Sequence, residues 1–210
     1  ALIADQLTDQ RGAASAAKRL LALHTEVAEF YRRCLMKMKS ADGARRYLQS
    51  RALPDTIVEN FMIGYAPETS GTLEKFAKAH KYTLEEMVAA GLGTPLDNPR
   101  TGRNLHDRFR GRLMFPICDT QGRVIAFSGR ILDPKKSPAK YVNSPETDIF
   151  KKSRVLYALD KAQRKIVAAP HREAIICEGQ IDVIRCHACG FDRAVASQGT
   201  AFTEEHAKLL

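Results

Sequence analysis

Apolar positions recur at three- and four-residue steps through the first part of the chain, then close up into short apolar runs beyond residue 111. In residues 13–39, Leu20, Leu21, Leu23, Val27, Phe30, Tyr31, Cys34 and Leu35 keep the helical period and predict one long amphipathic helix. Ala41-Asp42-Gly43 interrupts that pattern, and Ala44 to Ser50 resumes it as a short helix. Pro54-Asp55 opens another, with Ile57, Val58 and Phe61 on one face. Gly64 to Gly71 reads as a turn-rich link. Thr72 to Ala79 and Leu84 to Ala90 predict two further short helices, the second closed by Gly91-Leu92-Gly93. Leu96 to His106 is polar, contains Pro99 and Gly102, and has the composition of a mobile loop.

The character then changes. Arg112 to Cys118 and Val124 to Ser128 are strand-like, joined by Asp119-Thr120-Gln121-Gly122, a hairpin turn. Asp133 to Ala139 is a second loop with two prolines and two lysines, and Asn143-Ser144-Pro145 is a turn. Ile149 to Ile166 predicts a helix with Leu156, Leu159 and Ala162 facing inward. A strand at 174–177, a helix from about Val183, a strand Ala194 to Ser197 and a helix from Thr203 make a β-α-β-α run. The expected class is α/β: a mixed α+β subdomain over about 1–170, followed by the start of a Rossmann-like sheet over about 171–210.

Composition narrows the class. With 44% hydrophobic and 27% charged residues the chain is an ordinary globular one, with ample material for a core. No apolar run approaches the roughly 20 residues of a membrane span, and the start does not read as a signal peptide. Ala1 stands where an initiator Met would, so a longer parent chain is expected. Five cysteines, an odd number in mostly apolar settings, fit reduced thiols of the cytoplasm better than a disulfide framework. The net charge of +9 is regional. Between Arg100 and Arg172 there are 17 Lys and Arg against 6 Asp and Glu, a surplus of 11; the remainder, 16 against 18, is nearly balanced. Such a stretch points to a polyanion, the alternative being a solvated basic surface.

The richest segment chemically is Ala174-Ile175-Ile176-Cys177-Glu178-Gly179-Gln180-Ile181-Asp182. It puts Glu178 at the carboxyl end of a parallel strand, the edge where α/β sheets place their sites. Gly179 lets a ligand or a backbone approach, and Asp182, one helical turn on, can point at the same crevice. A site for Mg²⁺ and phosphate is built this way; the plain alternative is a capping carboxylate. Arg108 and Arg110 alternate at a strand entry, so both can face one surface and present forks suited to phosphate, unless one pairs with Asp107. Lys140-Tyr141 sets a cation beside an aromatic ring, a way to hold a sugar-phosphate strand while a base stacks, although Tyr141 as core residue fits equally. Lys152 and Arg154, near a helix start, reach either the catalytic crevice or a solvated face. Cys186-His187-Ala188-Cys189 lacks the second ligand pair of a structural zinc site, and zinc is not expected.

Three ordered segments carry a family resemblance. Asp107-Arg108-Phe109-Arg110-Gly111-Arg112-Leu113-Met114-Phe115-Pro116-Ile117 with Gly122 to Arg130 resembles the signature of bacterial DNA primases. Lys140-Tyr141-Val142-Asn143-Ser144-Pro145-Glu146-Thr147, with Phe150-Lys151-Lys152 and Leu156-Tyr157, is similar to the next signature. Glu178-Gly179-Gln180-Ile181-Asp182 resembles the first acidic motif of the toprim fold, with Gly199-Thr200 where that fold has a second turn. Tyr47 to Arg51 and Gly64 to Pro67 also fit. The resemblance implies a fragment of a DNA-dependent RNA polymerase that makes short primers for replication. Glu178 and Asp182 would be its catalytic carboxylates, with Glu178 a ligand for Mg²⁺ or Mn²⁺. Arg51, Arg108, Arg110, Lys140, Tyr141, Asn143, Lys152 and Arg154 would bind nucleic acid or nucleotide. Implied partners are single-stranded DNA template, RNA–DNA hybrid and ribonucleoside triphosphates, and a replicative helicase through a domain outside this sequence; no membrane is involved. The setting is the cytoplasmic nucleoid. Because no Asp-x-Asp follows Glu178, this polypeptide alone is expected to be inactive. Two rivals are a non-catalytic nucleic-acid-binding module and a toprim nuclease or topoisomerase; the latter should lack the 107–117 and 140–147 segments.

Overall fold

The computed structural model describes residues 2–96, 104–199 and 201–210, with the side chains of 2–11 and 136 excepted. The predicted loop 96–106 therefore falls largely outside the described residues, as does Thr200 of the Gly199-Thr200 turn.

In chain order the elements are helix α1 (Leu2–Lys37), α2 (Asp42–Ser50), α3 (Asp55–Asn60), strand β1 (Gly64–Ala66), α4 (Thr72–His80), α5 (Leu84–Ala89), β2 (Gly93–Pro95) and β3 (Leu105–Asp107). There follow β4 (Arg112–Cys118), β5 (Val124–Ile131), β6 (Tyr141–Asn143), α6 (Leu159–Ala168), β7 (Ile175–Cys177), α7 (Gln180–Ala188), β8 (Ala194–Ala196) and α8 (Glu204–Leu209). Strands β1, β4, β5 and β6 form an antiparallel sheet in the order β1-β4-β5-β6, and β2 pairs with β3. Strands β7 and β8 pair in parallel across α7, a βαβ unit.

The apolar run of β4 is explained by burial on both faces, since every residue of Arg112–Cys118 is buried. Leu113, Phe115 and Ile117 enter one core with Leu48, Val58, Phe61 and Ile63. Met114 and Cys118 enter another with Leu23, Val27 and Tyr31 of α1. Phe127 anchors that second core. Its ring stacks on His24 at 5.7 Å and meets Tyr31 edge-on at 5.6 Å. Helix α1 approaches so closely that a Cβ at Gly64 would lie 2.6 Å from Tyr31 Cβ. The first core extends into the βαβ unit through Tyr157, Ile181, Val183, Ile184, Ala194 and Ala196, which fixes the carboxyl end of β7 against the basic sheet.

Several expectations are corrected. The 64–71 link contains β1, whose three residues are all buried against β4; three residues are too few to show a period. The 143–145 turn begins inside a strand, because Asn143 pairs with Ser128. The helix over 149–166 starts only at Leu159. Ahead of it Tyr157 exchanges backbone hydrogen bonds with Ala196, and Ala158 takes a left-handed φ of 64°, so the pairing with β8 overrides the helical spacing. Helix α7 begins at Gln180 rather than Val183, and α1 extends well ahead of residue 13. The 119–122 hairpin turn is as expected, with Gly122 N–H donating to the Asp119 carbonyl at 3.0 Å and Gly122 at φ 79°.

Candidate active site

The carboxyl end of β7, the first turn of α7 and the loop after β8 form one wall of an open crevice of about 400 Å³. Strand β6, the last turn of α2 and the end of β5 form the other. Its lining includes Arg51, Lys140, Tyr141, Asn143, Glu178 and Asp182, six of the ten side chains singled out from sequence, together with Tyr47, Arg130, Gln180, Ser197 and Gly199.

The carboxylate wall follows from local structure. Gly179 is the N-cap of α7 in extended conformation, so Glu178 precedes the helix and Asp182 lies in its first turn. Both are exposed, and neither has an ion-pair partner among the described residues. A Cβ at Gly179 would meet only Asp182 Oδ2 at 3.5 Å, an ordinary contact. Packing does not demand glycine there; its absence of side chain leaves the helix start open to the crevice.

The opposite wall is cationic. Arg51, Arg130 and Lys140 line it, and none is paired with a carboxylate among the described residues. The guanidiniums lie instead against rings: Arg51 over Tyr47 at 5.2 Å, Arg130 over Tyr47 at 4.7 Å and over Tyr141 at 5.3 Å. Arg130 Nη1 also donates to the Tyr141 hydroxyl at 2.7 Å. Tyr141 is thus half-buried in the crevice wall rather than a core residue.

Amides tie the walls together. Asn143 Nδ2 donates to the Gln198 carbonyl at 3.1 Å, and Gln180 Nε2 to Gln198 Oε1 at 3.2 Å. Gly199 is required at this junction: its φ is 74°, and a Cβ there would lie 2.9 Å from Asn143 Nδ2. Asn143 Oδ1 and Gln198 Nε2 are buried without partners among the described residues.

The other predicted residues lie elsewhere. Arg108 and Arg110 share a second crevice of about 470 Å³ with Glu68, His106 and Arg112. Arg108 donates through Nε (3.0 Å) and Nη2 (2.7 Å) to the Asn143 carbonyl, so it supports β6 as well as lining a surface; burial lowers its pKa. Arg110 is exposed and donates to Ser70 Oγ at 3.0 Å. Asp107 pairs with neither arginine; its Oδ2 accepts from the backbone N–H of Thr72 (2.9 Å) and Leu73 (3.4 Å), capping α4 from a distance. Lys152 lies on a 3₁₀ turn, its N–H on Glu146 and its carbonyl accepting from His206 Nε2. Arg154 faces Glu205 at 3.9 Å and lines a shallow pocket beside Cys118 and Leu209. In α7, His187 bonds the Ala194 carbonyl and Cys186 Sγ lies 3.9 Å from Cys177 Sγ.

Tyr47 and Arg130 are the main additions to the site. Their signals were Tyr47 and Arg51 at helical i,i+4 spacing, and the cross-strand register that sets Arg130 opposite Tyr141. The donor chemistry of Glu178 and Asp182 suits a hard divalent cation. Among the described residues no cluster of three His, Cys, Asp or Glu surrounds that position, so these carboxylates can supply only part of a coordination shell.

Fold and crevice together define an α/β domain with a carboxylate edge facing a basic wall. Residues 30–163 match the family described as DNA primase catalytic core, N-terminal domain, and residues 172–210 match the Toprim domain. The DNA primase of Deinococcus radiodurans is 47% identical over 164 residues, 78% of this chain and 28% of that protein. The DNA primase of Geobacillus stearothermophilus is 38% identical over 199 residues, 95% of this chain and 32% of that protein. Among solved structures, the RNA polymerase domain of Mycobacterium tuberculosis primase DnaG, in complex with a double-stranded DNA oligomer carrying a 6-nucleotide overhang, superposes with a TM-score of 0.83. That pair is 39% identical, covering 91% of this chain and 58% of the other. A DnaG primase catalytic domain bound to ssDNA gives 0.81 at 36% identity, covering 94% and 59%. This chain belongs to the DNA primase catalytic core family and spans less than a third of the length of these two curated relatives.

Proposed function

We propose that this chain is part of the RNA polymerase core of a primase, binding single-stranded DNA and ribonucleoside triphosphates to join nucleotides into a primer. The observation that carries the reading is the single crevice with carboxylates, Glu178 and Asp182, on one side and cations, Arg51, Arg130 and Lys140, on the other, none of them ion-paired among the described residues. Cations there bind and orient a triphosphate. Tyr141 offers a face for a base or sugar. Glu178 and Asp182 would help to hold Mg²⁺ or Mn²⁺, which when bound would supply charge neutralisation for attack of a 3′-hydroxyl on the α-phosphate with departure of pyrophosphate. Residues to about 170 form the basic subdomain and those from 171 the toprim part, working in the cytoplasm at the nucleoid. The second crevice, with Arg108 and Arg110, continues the track for template and hybrid by phosphate contact. Lys152 and Arg154 belong to its periphery. A non-catalytic binding module would account for the basic surface but not for carboxylates facing it.

The track is tested by single-stranded DNA affinity against salt. Arg110→Ala and Lys140→Ala should each weaken binding and lower the slope of log affinity against log salt by about one phosphate contact, roughly 0.7 for a single strand. Arg108→Ala is less informative, because it also releases the Asn143 carbonyl and with it β6. Unchanged slopes in both variants would remove the track.

A further inference from the structure

Among the described residues the cationic wall is held by rings rather than by counter-charges, and Tyr47 is central to it. Its ring lies under two guanidiniums, Arg51 at 5.2 Å and Arg130 at 4.7 Å. Its hydroxyl is buried and has no hydrogen-bond partner among the described residues, which leaves the ring as its contact with the two guanidiniums. Arg130 is held on its other contacts by Tyr141, whose hydroxyl accepts from Nη1, while Arg130 Nε has no partner among the described residues. A carboxylate would fix an arginine equally well, but it would cancel the charge. An aromatic face fixes the guanidinium plane and leaves its full positive charge and forked donors for an incoming anion.

We propose that Tyr47 is a positioning residue that aligns Arg51 and Arg130 as a paired receptor for the polyphosphate of the incoming nucleotide. The proposal rests on the nucleotide-binding reading above and deepens it. Tyr47 lies near the end of α2, four residues before Arg51, and reaches Arg130 at the end of β5, so one ring couples a helix terminus to a strand terminus. It touches no reacting atom; its effect is transmitted through the two arginines.

The test is calorimetric titration of the 210-residue chain with ATP, AMP and inorganic tripolyphosphate. Tyr47→Leu should weaken ATP and tripolyphosphate about fivefold, the scale of one partly desolvated cation–π contact, with AMP much less affected. The ATP-to-AMP affinity ratio therefore falls, which a merely structural defect would not produce. Tyr47→Phe, which keeps the ring, should restore ATP binding to within about twofold. Arg130→Gln should weaken ATP at least as much as Tyr47→Leu. If Tyr47→Leu does not fold, Arg130→Lys decides instead: it keeps the charge without the planar stack, and should bind ATP several-fold more weakly. If Arg130→Gln weakens ATP but Tyr47→Leu or Arg130→Lys leaves the ATP-to-AMP ratio intact, the positioning role is overturned and nucleotide binding stands. If ATP binds neither the wild-type chain nor any variant, or Arg130→Gln binds as wild type, the nucleotide-binding reading falls and takes this proposal with it.

Discussion

Asp107 shows how a residue inside a functional-looking motif acquires a structural task. It is 2% exposed, and its carboxylate takes the place of the missing side-chain cap of α4, whose own N-cap is Gly71. Burial raises its pKa above the ordinary 3.8, against the lowering effect of the Leu73 and Thr72 N–H groups. The sign follows from that direction. The ionised form is disfavoured in the fold, so the contribution of this group is fullest below the unfolded value and declines as pH rises through the folded one. Asp107→Asn keeps an acceptor without the charge. The difference in stability between variant and wild type, followed by thermal unfolding, should therefore move in favour of Asn as pH rises from about 3 to 7. Asp107→Ala should cost about 1 kcal/mol at low pH, the size of a lost cap, and less as pH rises. Parallel pH profiles for wild type and Asn would refute the assignment. Motif membership thus marked the neighbourhood of the site, while the division of labour between Asp107, Arg108 and Arg110 depended on contacts across 35 residues, which no local pattern encodes.

The elements with a strong period or an unambiguous turn were legible: the body of α1, the β4–β5 hairpin and the β7–α7–β8 unit. Those that were misread are three-residue strands or segments where pairing prevails over spacing. β1 and β6 exist because β4 and β5 offer edges to them, and the helix starts only at Leu159 because Tyr157 pairs with Ala196, with a 3₁₀ turn at Lys152–Arg154 ahead of it. Gly64 tests the most important inter-element contact. A Cβ there would meet Tyr31 Cβ at 2.6 Å and the Tyr31 carbonyl carbon at 2.7 Å, backbone that cannot rotate away. Gly64→Ala should push α1 from the sheet and cost about 1–3 kcal/mol, read as a lowered urea midpoint. An unchanged midpoint would mean that α1 is not docked as described.

At the scale of the molecule, a basic sheet and an acidic strand end, separated by over 100 residues of sequence at Arg51 and Glu178, are brought to one crevice by a shared hydrophobic core and an amide junction at Asn143, Gln180 and Gln198. Six candidate residues in the crevice were named from the sequence; the i,i+4 spacing of Tyr47 and Arg51 hinted at Tyr47, whereas Arg130 joined the site only through its contacts with the rings of Tyr47 and Tyr141. The central claim is that this crevice takes a nucleotide together with a divalent cation, which Glu178 and Asp182 would help to hold. Its most direct test is ATP affinity of the chain with and without Mg²⁺, compared between wild type and Glu178→Gln. Mg²⁺ should tighten ATP binding to the wild-type chain several-fold, and that gain should disappear in Glu178→Gln while binding without metal persists. An equal Mg²⁺-dependent gain in both proteins would contradict the account.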